Sequence, residues 1–134
     1  MHVREGMSAT ALTVGPDHTL REAARLMHER RVGSAIVLDG DQPGPGLITE
    51  RDLLAAIGRG LDPDVERVCD HLTSELVFAA PDWSLEQAAC EMVRGGFRHL
   101  LVVEGGEIAG VLSMRDVVRC WTEDGAVCAV PLAS

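Results

Sequence analysis

Two short segments carry residues at a spacing that could do chemistry. Thr49-Glu-Arg-Asp52 and Ser113-Met-Arg-Asp116 each set a hydroxyl three residues ahead of a carboxylate. Where such a segment opens a helix, the hydroxyl is the N-cap and the carboxylate stands at the third helical position. Both then lie beside backbone N–H groups that have no partner within the helix. A carboxylate accepts two hydrogen bonds at once, so Asp52 and Asp116 can each grip the vicinal hydroxyls of a ribose. The hydroxyls of Thr49 and Ser113 and the first-turn amides favour phosphate oxygens. The same spacing is also a capping-box variant with a purely structural use, and the two roles are compatible. Arg51 and Arg115 fall in the first turn, where the helix macrodipole disfavours a positive charge. Either an anion or a neighbouring acid offsets that penalty, or the guanidinium is simply solvated.

The elements that must position these residues are legible because the chain repeats itself. At an offset of 65 residues Val3 falls on Val68, Pro16 on Pro81, Asp17 on Asp82, Leu20 on Leu85, and Met27 on Met92. After one deletion Gly46 falls on Gly110, Thr49 on Ser113, Arg51 on Arg115 and Asp52 on Asp116. Two units follow, residues 1–60 and 66–121, with a turn-rich linker at 61–65 and a short tail at 122–134. Each unit reads β-α-β-β-α. Ala11–Val14 and Leu76–Ala79 are short strands stopped by proline. Thr19-Leu-Arg-Glu22 and Ser84-Leu-Glu-Gln87 are capping boxes opening amphipathic helices, with Met27 and Met92 on the core face. Gly33 and Gly95-Gly96 are expected to end those helices. Two hairpin strands follow in each unit, Ala35–Leu38 with Gly46–Ile48 and Leu100–Val103 with Ile108–Leu112. The last helices start at Thr49 and Ser113. The fold class is α+β.

This order and texture resemble the CBS domain, and two in tandem resemble a Bateman module. The residues that carry the resemblance are Thr19–Ala24 and Ser84–Ala89, which are similar to the family's first helix. Gly46-Leu-Ile-Thr-Glu-Arg-Asp-Leu53 and Gly110-Val-Leu-Ser-Met-Arg-Asp-Val117 are similar to its Gly-hydrophobic-hydrophobic-[Ser/Thr]-x-x-Asp signature. Ile36 and Leu101 depart from it, standing where the family often has proline. The resemblance implies two CBS units packed with pseudo-twofold symmetry, and two clefts. In many members the clefts bind an adenosine-containing ligand such as AMP, ADP, ATP or S-adenosylmethionine. It makes Arg51 and Arg115 phosphate partners, and likewise Arg98 and His99, which precede a strand; a surface pair at a strand start is the plain alternative. Unit one has Gly33 and Ser34 there instead, so phosphate is better neutralised in unit two. Thr13-Val14 and Val77-Phe78 would wall the adenine; ordinary core is their other reading, and the favoured one for Phe78. The implied role is regulatory, in a homodimer, with an unknown regulated protein as partner.

Composition narrows the function further. The chain has 134 residues, 21 acids against 12 bases, a net charge of −9 and a pI near 4.9. Nucleic acid and anionic membrane are disfavoured as partners by that charge. All the basic residues are Arg, and Lys, Asn and Tyr are absent. No apolar run reaches the ~20 residues that span a bilayer, and residues 1–10 have no signal-peptide core, so a cytoplasmic protein is expected. Cys69, Cys90, Cys120 and Cys128 match no zinc spacing and are expected as free thiols, mostly buried, with Cys120 and Cys128 the pair to form if any does. Cys69 and His71 alone are a poor metal pair. His2, His18 and His28 are expected at the surface. No catalytic residues, metal or required cofactor are expected, and an enzyme is disfavoured because no activated nucleophile is evident. The competing reading is a dimeric scaffold whose clefts stay empty.

Overall fold

The computed structural model describes residues 1–42, 44–73 and 76–123. In chain order the elements are α1 (Val3–Gly6), β1 (Thr13–Val14), α2 (Leu20–Arg30), β2 (Ser34–Val37), β3 (Gly46–Thr49) and α3 (Glu50–Gly58). A 3-10 turn (Val68–Asp70) follows, then β4 (Phe78–Ala79), α4 (Leu85–Gly95), β5 (His99–Glu104), β6 (Glu107–Ser113) and α5 (Met114–Glu123). The fold is α+β, with two three-stranded sheets ordered β1-β2-β3 and β4-β5-β6. In each sheet the first strand runs parallel to the central one and the third antiparallel to it. That is the arrangement a β-α-β-β-α unit requires, since a helix can carry the chain back to a parallel strand and a short hairpin cannot.

The long helices form where the sequence provides both a cap and an apolar stripe. The Thr19 hydroxyl accepts the Glu22 N–H at 3.2 Å, and the Ser84 hydroxyl accepts that of Gln87 at 3.0 Å. Leu20, Ala23 and Met27 are buried on α2, as are Leu85, Ala88 and Met92 on α4. Termination differs from expectation in one unit. Gly96 ends α4 in the left-handed region with φ 74°, but α2 ends on Arg31, with φ 56°, and not on Gly33. The left-handed cap must directly follow the last helical turn, and at the 65-residue offset Gly96 stands opposite Arg31.

The chain forms two compact bodies, and their limits differ from those of the repeats. One body is Thr10–Leu76; the other joins Met1–Ala9 to the chain from Val77. Residues 1–9, which lead the first repeat, therefore pack on the second. Residues 66–76, which lead the second, pack on the first, and the expected linker lies wholly inside the first body. Burial of Val3 and Val68, both fully buried in the opposite repeat's core, holds the exchange. Backbone pairing completes it. Ser8 N–H donates to Val111 O at 2.9 Å and Val111 N–H to Ser8 O at 3.1 Å, while Thr73 N–H donates to Leu47 O at 2.9 Å.

The first core is built on Val14, Leu20, Ala23, Met27, Val37, Ile48 and Val68. The second is built on Val3, Leu85, Ala88, Met92, Leu100, Leu112 and Cys120. Thiol burial is less general than expected: Cys120 is buried, but Cys69 and Cys90 are exposed, since Cys90 is on the solvent side of α4 and Cys69 on an outer turn. Cys128 lies outside the described residues, as does most of the 122–134 tail. His2 and His28 are exposed. His18 is half-buried instead, its Nδ1 accepting the Gly15 N–H at 2.8 Å.

Candidate functional site

In each body the hydroxyl–carboxylate pair stands where the third strand turns into the last helix. Thr49 caps α3 and is locked to Asp52 reciprocally. Thr49 N–H donates to Asp52 Oδ2 at 2.8 Å, and Asp52 N–H donates to the Thr49 hydroxyl at 3.3 Å. Ser113 and Asp116 repeat the pattern at 2.8 and 3.1 Å. The capping role read from the sequence is thus physically present in both copies. It holds each carboxylate at a helix N-terminus, half-buried, where first-turn amides favour negative charge.

The signature glycines in the strands before these caps have a steric reason. A Cβ on Gly110 would come under 3.0 Å from the Ser8 carbonyl oxygen, and a Cβ on Gly46 would come 2.8 Å from Leu72 Cδ1. Each glycine lets the exchanged leading segment cross close beside the strand that ends in the cap.

The surroundings of the two caps differ. In the second body His99 stands opposite Ser113 in the strand register, and the Arg98 carbonyl accepts the Met114 N–H at 2.8 Å. The backbone of Arg98 and His99 thereby lies beside the start of α5, where Ser113, Arg115 and Asp116 stand. Arg119, which the sequence reading missed, adds a guanidinium 3.5 Å from Asp116 Oδ1. In the first body Ser34 stands opposite Thr49, and the Gly33 carbonyl accepts the Glu50 N–H at 2.9 Å. Arg51 is on the first turn there, but Glu50 folds back, its carboxylate 3.2 Å from where a Gly33 Cβ would be. The acid therefore stands by the position that corresponds to Arg98.

Thr73 is the other residue missed. Its hydroxyl donates to Asp52 Oδ2 at 2.7 Å across 21 residues of sequence. The repeat offset pairs Thr73 with Ser8, a second hydroxyl residue at the same place, and that coincidence was the available signal.

The proposed adenine walls lie on the edge strands. Thr13 is opposite Ile36 and Val14 opposite Val37 in the register, and Phe78 is opposite Leu101. The Val77 carbonyl accepts the Leu101 N–H at 3.1 Å. Val14 is buried in the first core and Val77 is partly buried against the second, while Thr13 is exposed. Phe78 is not a core residue: it is 48% exposed, because β4 turns Ala79 inward and so turns its neighbour outward. Thr13 and Phe78 are the equivalent positions in the two bodies.

Among the described residues no helix is long and apolar enough to cross a membrane. Comparison with known proteins gives consistent results. The CBS domain family matches residues 3–59 and 65–123. An uncharacterized Acidianus ambivalens protein is 36% identical over 108 residues, 79% of this chain and 64% of that protein. An uncharacterized Methanocaldococcus jannaschii protein is 32% identical over 92% of this chain but 44% of its own length. The chain thus spans less than two thirds of either. A CBS domain protein from Pyrobaculum aerophilum, solved in complex with AMP, superposes with a TM-score of 0.75. It is 30% identical, covering 87% of this chain and 89% of that one.

Proposed function

Starting from the fact that the chain belongs to the CBS-domain family, as a tandem pair, we propose that it is a cytoplasmic, non-catalytic regulatory module that senses an adenosine-containing ligand. AMP, ADP, ATP and S-adenosylmethionine are the candidates. The observation that supports it most is the second body's cap: the half-buried carboxylate of Asp116 lies in the first turn of α5, next to Arg115 in sequence, and the backbone of Arg98 and His99 pairs with the residues that open that helix. A ribose diol matches the carboxylate, and phosphate matches the bases and the first-turn amides. Thr49, Arg51 and Asp52 form the corresponding site of the first body. Thr13 and Val14, and Val77 and Phe78, supply backbone edges for adenine. The AMP complex of the Pyrobaculum aerophilum relative supports this reading. Ligand binding then shifts the population of conformers that a partner protein meets.

A thermal-shift series with AMP, ADP, ATP and S-adenosylmethionine tests the reading. A ligand at a hundred times its Kd stabilises the folded state by about 2.7 kcal/mol. The expected result is a clear upward shift with at least one of them, reduced in Asp116→Ala. Silence from all four at millimolar concentration overturns it.

The scaffold reading draws on a different observation. Leu54 and Ile57 on α3 are 71% and 54% exposed, and Val118 and Trp121 on α5 are 48% and 57% exposed. These are matching positions of the two repeats, each an i, i+3 pair on one helix face. A second copy of the chain presents the same faces, which favours a homodimer. Dimerisation and nucleotide sensing are compatible, so this surface completes the regulatory reading.

A further inference from the structure

Resting on the nucleotide reading above, we propose that the two sites are unequal and that Thr73 is the residue that sets the difference, by occupying the carboxylate that a ribose would need. Oδ2 of Asp52 accepts three donors: Thr49 N–H at 2.8 Å, the Thr49 hydroxyl at 3.0 Å and the Thr73 hydroxyl at 2.7 Å. A carboxylate oxygen has two lone pairs, so three donors saturate it. A diol that grips Asp52 through both oxygens must first displace one of them. Two belong to Thr49, the neighbouring cap, and are fixed by the helix start. Thr73 is the donor that can leave, since its hydroxyl turns about a single bond while its backbone N–H stays on Leu47.

In the second body no hydroxyl of the exchanged segment takes that place: Oδ2 of Asp116 accepts the Ser113 N–H at 2.8 Å, and Arg119 lies 3.5 Å from Oδ1, a cation that an anionic ligand can share. Ser8 stands where the repeat offset puts the counterpart of Thr73, and it is held to Val111 through its backbone. Among the described residues its hydroxyl makes no bond to Asp116. Charge acts in the same direction. Glu50 brings an acid to the first body's site, where the second has Met114, and Arg98 brings a base to the second, where the first has Gly33. An anionic ligand with a cis-diol therefore fills the Asp116 site first. The Asp52 site fills only at a higher concentration, when the Thr73 hydroxyl turns away. Thr73 is a specificity-determining residue, and the pair of sites reads two concentration ranges of one ligand.

Isothermal titration calorimetry with AMP tests this in the full chain. Asp116→Ala isolates the first site and Asp52→Ala the second. The expected result is weaker binding to Asp116→Ala than to Asp52→Ala. Adding Thr73→Val to Asp116→Ala should tighten binding about tenfold, or about 1.4 kcal/mol. Adding Thr73→Ser should leave it unchanged, because the hydroxyl remains. Thr73→Val in the Asp52→Ala background should have no effect, since Thr73 acts through Asp52. Thr73→Ala is the substitute where valine impairs folding, which a circular dichroism melt reports. Equal or weaker AMP binding when the hydroxyl is removed overturns the role of Thr73 and leaves the nucleotide reading standing. No AMP binding to the parent protein or any variant overturns both.

Discussion

Gly110→Ala separates a steric requirement from a family habit. Gly110 precedes Val111, which exchanges two backbone hydrogen bonds with Ser8, at 2.9 and 3.1 Å. A Cβ at 110 would meet the Ser8 carbonyl oxygen under 3.0 Å, the Ser8 carbonyl carbon at 3.1 Å and Ala9 Cα at 3.4 Å. All three are backbone atoms, so nothing flexible can give way. The residue 1–9 segment must lift, and both bonds stretch. Their loss costs about 1 kcal/mol each, and the forced displacement costs about 1–3 kcal/mol more. The glycine-to-alanine change returns about 0.5–1 kcal/mol through the unfolded chain. The net expectation is a loss of about 2–4 kcal/mol, or roughly 7–14 °C in Tm for a chain of this size. Gly46→Ala is the internal control. Its nearest neighbour is Leu72 Cδ1 at 2.8 Å, the end of a side chain that can rotate, so its cost should stay within about 1 kcal/mol. Calorimetric melts and urea titrations of both variants give the comparison, and hydrogen exchange at Ser8 and Val111 locates the damage. A Gly110→Ala protein that melts within 2 °C of the parent (roughly, less than 1 kcal/mol) would falsify the crossing-segment argument, as would a Gly46→Ala protein that loses as much.

Arg31→Gly should raise stability by about 0.5–1 kcal/mol, because a left-handed cap costs an L-residue about 1–2 kcal/mol and glycine gives back part of that in entropy. Gly96→Ala should lower it by a similar amount, and thermal melts check both. On the proposed homodimer, the parent should appear as a dimer in native mass spectrometry and Trp121→Glu as a monomer with unchanged circular dichroism; a monomeric parent, or a variant that stays dimeric, refutes the α3 and α5 interface. In thiol labelling followed by peptide mapping, Cys69 and Cys90 should react in the native protein and Cys120 only after denaturation. Partial desolvation against the surrounding chain, then Asp70 and Asp17, raise the Cys69 thiol above its usual range although the residue is exposed. Less thiolate is therefore present at a given pH, and Asp70→Asn should shift the Cys69 rate profile to lower pH.

The parts of the fold that the sequence could reveal are those fixed by local pattern. The caps at Thr19, Thr49, Ser84 and Ser113 and the apolar stripes ending in Met27 and Met92 depend on residues three or four apart, and periodicity reports them. The exchange of residues 1–9 and 66–76 left no such mark. Val3 and Val68 are equivalent positions, so the offset that pairs them cannot say in which repeat's core each is buried. Phe78 was misread for a related reason. A two-residue strand has no alternation to read, and an aromatic residue is equally at home on either face. The Asp52 and Asp116 caps were legible as caps. The difference between them was only half legible: Arg98 against Gly33 can be seen in one alignment, but the Thr73 bond spans 21 residues and the return of Glu50 toward Gly33 depends on its rotamer.

The exchanged leading segments also constrain how the protein is made. Arg119 donates to the Gly6 carbonyl at 3.1 Å from 113 residues away, and Val3 is buried in a core whose other members all follow residue 76. On a ribosome, the body of Thr10–Leu76 can close as soon as Leu76 has emerged. Met1–Ala9 must meanwhile wait, with the apolar side chain of Val3 still in water, until β6 and α5 leave the tunnel. Contacts this distant are slow to form, and unpaired apolar segments are open to association with other chains during the delay. Residues 1–9 are therefore made before everything they pack on, and their docking waits for the far end of the second body.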